Sequence, residues 1–330
     1  MDKRFEALQQ WLEQVLGFSN YQIAPASADA SFRRYFRVRH NDSSHIVMDA
    51  PPGKEDCKPF IHLSGILDKL GLHVPVIKEM DLKQGFLLMT DLGTQVYLDK
   101  LNTDTADALY GDAIKALIRM QTYKGNNIPD YDRVLLLNEM ELFREWYLGR
   151  HLNLELDHKQ QAMIDNAFAL LAEEALSQPR VLVHRDYHSR NLMLCEKNNP
   201  GILDFQDAVI GPVTYDLVSL LRDCYISWPL QQVQDWVFGY YQQATQAGIL
   251  NNIDLPQLQY WFDLMGIQRH LKAAGIFARL NYRDGKPGYL DDIPRTLGYV
   301  KVVAANYPQL SDFAAFVELI TRDTELTAES

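Results

Sequence analysis

The chain has 330 residues, enough for two moderate domains with real cores, and 32 basic against 43 acidic side chains give it a formal charge of −11. No basic block interrupts that balance, which argues against nucleic acid or an anionic membrane as a partner. Cys57, Cys195 and Cys224 are scattered without CxxC spacing and read as reduced thiols, and no apolar run approaches the ~18 residues of a membrane span, so a cytoplasmic protein is expected.

In chain order, residues 1–17 carry Phe5, Leu8, Trp11, Leu12, Val15 and Leu16 at helical spacing, without the apolar stretch and cleavage site of a signal peptide. Strands are expected at 21–24, 32–39 and 45–50, the last two joined through the turn-formers at 40–44. A helix follows over 58–70, with Asp56 as its cap and Gly71 just past its end, and then strands at 74–79 and 86–90. Beyond Gly93 the pattern turns helical, at roughly 104–122, 137–149, 158–177, 215–228, 230–247, 256–280 and 308–321. That shift places a domain boundary near residues 91–93, with 1–92 on one side and 93–330 on the other.

Residues 181–208, VLVHRDYHSRNLMLCEKNNPGILDFQDA, interrupt the helical part. Short apolar runs at 192–194 and 202–205 flank the turn-rich 197–201, which predicts a β-hairpin. A reversal there brings Asn191 and Asp204 to one end, close to Asp186, so that two carboxylates and an amide oxygen converge. Phosphoryl transfer from ATP needs such a set: Asp186 to orient and accept the proton of an attacking hydroxyl, Asn191 and Asp204 to hold Mg²⁺. An Asp in a loop more commonly caps its own turn. That reading leaves unexplained why Asn191 and Asp204 recur at the H-R-D-x-x-x-x-N spacing followed by an Asp before Phe. His184 is expected to brace the loop backbone rather than do chemistry.

HRDYHSRN with ILDFQDA resembles the kinase-like phosphotransferases of small molecules, the aminoglycoside phosphotransferase and choline kinase superfamily. ASFRRYFRV (30–38), VMDAPP (47–52), LLMTDLG (87–93) and QRHLKAAGIFARL (268–280) are similar to one branch, the bacterial anomeric kinases of N-acetylmuramate and N-acetylglucosamine in cell-wall recycling. The likeness covers about residues 20–305. It implies an α+β, protein-kinase-like two-lobe fold, with a small antiparallel-sheet N-lobe and a mainly helical C-lobe carrying the catalytic loop and substrate pocket. It implies an ATP- and Mg²⁺-dependent sugar kinase with no protein partner. The alternatives are an aminoglycoside or amino-alcohol (choline-like) phosphotransferase and, from another class, a nucleotide-binding pseudokinase module. A P-loop NTPase is excluded by the absence of G-x-x-x-x-G-K-[ST].

Two departures from the kinase pattern stand out. The stretch at 26–31, ASADAS, has no glycine where a phosphate loop is expected, although Ser31 can add a hydroxyl donor. Met48 stands near the position of the phosphate-binding Lys. Arg33 and Arg34 are the nearest replacement cations, and alternation along a strand lets only one face the nucleotide, with Arg34 preferred. Solvent-facing arginines on a hairpin are the plainer reading. Met89 and Asp91 fall where the resemblance puts the adenine edge, read through the backbone. For the acceptor, Arg185, His188, Asp207, Gln268 and Arg269 are implied, an Arg or Lys suiting the carboxylate of N-acetylmuramate. Arginine before the loop Asp, where aminoglycoside kinases usually carry glycine, leans away from that activity.

Overall fold

Leu8, Trp11 and Leu12 lie on one face of α1 (Lys3–Gln10) and of the wide-turned π segment that continues it to Val15. They are buried against Phe36, Val38, Val47, Phe86 and Leu88. These partners recur at every second position, which is the period of one sheet face. The sheet, in the computed structural model that describes residues 2–28 and 32–328, is five-stranded and antiparallel. Its order is β1 (Gln22–Ala28), β2 (Arg34–His40), β3 (Ser43–Asp49), β5 (Phe86–Thr90), β4 (Ile77–Asp81). β4 starts later than the apolar pattern predicts because Pro75 has no N–H to give a ladder; its carbonyl accepts from Ser64 Oγ at 2.7 Å. α2 (Lys58–Lys69) buries Phe60, Leu63 and Leu67. Cys57 is its N-cap residue, while Asp56 accepts from the Lys58 N–H at 2.9 Å, and Gly71 ends the helix at φ +74°.

The chain divides into two compact units, Met1–Val96 with Leu192–Asp207, and Tyr97–Asn191 with Ala208–Ser330. The hairpin segment therefore belongs with the sheet. Its strands β7 (Leu192–Met193) and β8 (Gly201–Ile202) pair antiparallel. The Ile202 N–H donates to His73 O at 2.8 Å and the Leu194 N–H to Gln95 O at 2.8 Å.

In the second unit β6 (Arg180–Val183) pairs antiparallel with β9 (Val209–Pro212), a four-residue strand too short to show periodicity. The helices are α3 (Ala106–Gln121), α4 (Arg133–Leu142), α5 (His158–Ser177), α6 (Tyr215–Leu221), α7 (Leu230–Gln246), α8 (Leu255–Asp284), α9 (Ile293–Ala304) and α10 (Ser311–Ala328). α4 runs on as a π segment to His151. α9 is not anticipated by the sequence pattern. α6 is shorter than expected, because the backbone leaves the helix at Arg222 (φ −120°, ψ 53°). α8, 30 residues long, is the central element and is buried along most of its middle. It approaches α4 closely at Gly275, where a Cβ would stand 2.3 Å from the Leu142 carbonyl carbon, so any larger residue would force the helices apart.

Candidate active site

The loop after β6 is fixed at every turn. Asp216, buried in the first turn of α6, accepts from the His184 N–H at 2.6 Å and the Arg185 N–H at 3.0 Å. His184 Nδ1 accepts from the Asp186 N–H at 3.3 Å, the bracing role expected of it. The Asp186 carbonyl accepts from Asn191 Nδ2 and the His188 N–H, both at 3.0 Å. Ser189 donates its N–H (2.9 Å) and Oγ (2.5 Å) to the buried Asp223. Asp186 and Asn191 are thus brought together through backbone contacts that leave the Asp186 carboxylate out of the scaffold. The Asn191 amide nitrogen is thus committed to the loop backbone.

Arg185, expected among the substrate contacts, has a bracing position instead. Its backbone is left-handed at φ +78°, and its guanidinium pairs with Glu139 of α4. Glu139, 5% exposed, also pairs with Lys272 Nζ at 2.9 Å and accepts from the Tyr131 hydroxyl. Lys272 in turn donates to the Tyr215 hydroxyl at 2.9 Å. Burial opposes ionisation of Glu139, but Lys272 and Arg185 outweigh it and hold the carboxyl below its usual range. Sequence reasoning missed Glu139: in LLLNEMELF nothing marks it off from Glu141, which is only half-buried.

Burial would likewise push Asp186 up, but the charges of Lys272, His188, Arg269 and His184 overcome it and hold the carboxyl at about 2. Burial lowers the His188 pKa, leaving that ring largely neutral near pH 7, so Lys272 and Arg269 carry most of this effect. Asp216 goes the other way: burial pushes it up to about 7, against the two N–H donors that favour its charged form. Since Asp186 is ionised above about pH 2, its protonation contributes no acid limb to kcat/KM between pH 5 and 8. Lys272→Met removes the largest favourable charge, so the Asp186 pKa must rise, and the acid limb, which lies below pH 5 in the wild type, is expected to move upward by about one pH unit or more on a kcat/KM profile carried down to about pH 3. A pH–rate profile superimposable on that of the wild type would show that Lys272 does not act on the base.

In the first unit, Asp204 has a left-handed backbone (φ +64°) and its carboxylate accepts from Gln206 Nε2 at 2.7 Å. The next residue, Phe205, is buried and stacks on Phe60 with centroids 4.8 Å apart, which anchors the segment. Asp207 is exposed. Arg33 pairs with Glu55 at 3.0 Å. Arg34 bonds Asp49, its register partner on β3, at 2.5 and 3.0 Å, and also pairs with Asp2. Arg4 reaches the same Asp49, which is fully buried. A lone Asp closing the apolar strand HIVMD is the signal that could have found this cluster, since a carboxylate is rarely buried there without cations. Met89 is buried within β5, and the Asp91 side chain is taken up by Arg37 (2.6 and 3.0 Å), Ser44 Oγ (2.6 Å) and the Gly93 N–H (3.0 Å). The Asp91 carboxylate is therefore committed within its own unit. Ser31 lies outside the described residues.

A small antiparallel sheet with one helix across it, followed by a helical unit that presents a doubly braced Asp–Asn loop, defines the kinase-like phosphotransferase class. The model of the phosphotransferase enzyme family matches residues 22–248, and the chain belongs to that family. It is 46% identical over 327 residues to the N-acetylmuramate/N-acetylglucosamine kinase of Pseudomonas putida, covering 96% of each chain. It is 40% identical over 325 residues to the enzyme of the same name from Neisseria meningitidis, covering 97% of this chain and 96% of that one. The fold is shared with the choline kinase LicA from Streptococcus pneumoniae (TM-score 0.65, 12% identity, 92% of this chain and 99% of that one). It is also shared with ADP-bound aminoglycoside phosphotransferase APH(2'')-Ib (TM-score 0.59, 15% identity, 91% and 98%).

Proposed function

We propose that the chain is an ATP- and Mg²⁺-dependent kinase that phosphorylates the anomeric hydroxyl of N-acetylmuramate and N-acetylglucosamine, acting in the cytoplasm. The observation that carries this reading is the loop that fixes Asp186 by its own backbone, its N–H on His184 Nδ1 and its carbonyl on Asn191 Nδ2, while the charges of Lys272 and Arg269 favour the ionised carboxylate. An anionic base suits proton removal from an anomeric hydroxyl, which is more acidic than an ordinary alcohol. The same cations speak against an aminoglycoside or amino-alcohol acceptor, which would bring its own positive charge to them. A non-catalytic nucleotide-binding module gives no reason for a base held in this way.

The nucleotide is assigned to the sheet unit, through the backbone at Met89 and Asp91, the Ser31 hydroxyl and one of Arg33 and Arg34; the acceptor is assigned to the helical unit. Asn191 and Asp204 are assigned as ligands of Mg²⁺, which when bound would neutralise charge on the transferred phosphoryl group. Around the acceptor, His188, Gln268 and Arg269 remain as contacts, with Asp207 at the end of the hairpin segment. No helix among the described residues is long and apolar enough to cross a membrane. Release of ADP measured over a panel of acceptors tests the proposal. Turnover is expected with both N-acetylated sugars and not with an aminoglycoside or choline; turnover of the amines alone would reject it.

A further inference from the structure

Gln268, Arg269 and Lys272 share one side of α8 by their spacing, and two of the three have no counterpart that explains their burial. Lys272 is matched by Glu139 at 2.9 Å, as the nearby Arg222 is by Asp263 at 2.6 Å. Arg269 is different. It is 5% exposed, its one hydrogen bond is the weak contact to Cys224 Sγ at 3.6 Å, and its Nε has no partner. Among the described residues no carboxylate pairs with it; the neighbouring Asp223 is already taken by Ser189 and the Tyr225 N–H. Gln268, fully buried, leaves both Oε1 and Nε2 unpartnered. A buried guanidinium that no anion bonds directly is costly, and its unpartnered Nε suits an anion that arrives from outside. Arg269 is also close enough to Asp186 for the two charges to act on each other. An anion recognised here therefore sits on the molecule whose hydroxyl Asp186 attends.

The two sugars of the proposed function, on which this inference rests, differ in one charged group, the lactyl carboxylate that N-acetylmuramate has and N-acetylglucosamine lacks. We infer that Arg269 is the specificity-determining residue that binds this carboxylate, so that one site takes both sugars but holds the acidic one through α8. The planar fork of guanidinium matches a carboxylate bidentately, which an ammonium at this position would not. Nothing in the arrangement requires the acidic sugar: N-acetylglucosamine leaves Arg269 as it stands in the free protein.

Steady-state kinetics of the wild type and of Arg269→Gln and Arg269→Lys, with both sugars, test the assignment. For Arg269→Gln, kcat/KM is expected to fall by about 10- to 100-fold more with N-acetylmuramate than with N-acetylglucosamine, the difference lying mostly in KM, while any loss common to both sugars reports the Arg269 charge on Asp186. Arg269→Lys should recover part of the loss. A second arm needs no variant. The wild type should lose about the same factor on the methyl ester of N-acetylmuramate, and the ester should cost Arg269→Gln nothing further. Equal losses on both sugars would overturn the assignment and make Arg269 a partner of the phosphoryl group or of Asp186. Full activity of the wild type on the ester would overturn it even if the variants do not fold. A wild type active on neither sugar would instead remove the substrate reading, and this inference with it.

Discussion

Replacing Asp186 by asparagine is expected to lower kcat by about 100- to 10,000-fold while leaving ATP affinity within a factor of about two. The substitution is close to a pure test of the base. The bonds that shape the loop use the backbone of residue 186, its N–H to His184 Nδ1 and its carbonyl from Asn191 Nδ2 and the His188 N–H, and asparagine has the same backbone. What changes is the side-chain charge and its capacity to take a proton. Single-turnover phosphoryl transfer and a nucleotide titration on the same preparation separate the two effects. Turnover within threefold of the wild type would remove Asp186 from its role. Asp204→Ala supplies the contrast, because a lost metal ligand should weaken Mg²⁺–ATP binding itself.

The second large effect belongs to Glu139. Substitution by glutamine leaves Arg185 and Lys272 facing each other with no anion between them, and the loss of one member of a buried ionic cluster costs about 3–5 kcal/mol. In a unit of this size that corresponds to a fall in Tm of roughly 6–20 °C. The variant should lose activity below its unfolding temperature as well, because Arg185 is one of the residues whose N–H groups Asp216 holds. Adding Lys272→Met to Glu139→Gln removes one of the stranded cations and should restore part of the stability, a non-additivity expected only of groups in contact. Thermal unfolding of the three variants decides the matter: a fall of less than about 1 °C in the single variant would mean that the cluster is not a stabilising device.

The elements that show in the sequence are those whose pattern is their cause. The sheet face of Phe36, Val38, Val47, Phe86 and Leu88 repeats every second residue, and the Asp157-capped helix α5 begins and ends at the expected residues 158 and 177. His184, Asp186 and Asn191 are legible for a related reason: a loop whose residues bond one another locally needs them at fixed separations. What stays hidden is long-range charge pairing. Glu139 meets Arg185 across 46 positions and Asp49 meets Arg4 across 45, and no local rule links either pair. β9 and the early end of α6 do not show in the sequence, because short elements are set by what they pack on rather than by their own pattern. The same holds for Arg185, whose partner on α4 no local pattern announces.

The left-handed backbone at Arg185 carries a consequence for redesign. A residue with a Cβ at φ +78° is held against a steric penalty of about 1–2 kcal/mol that glycine would escape. Glycine there would ease the chain locally and yet strip Glu139 of one of its two counterions. The position is therefore a tension spring kept cocked by a distant helix, and loosening α4 should let the peptide at residue 185 relax.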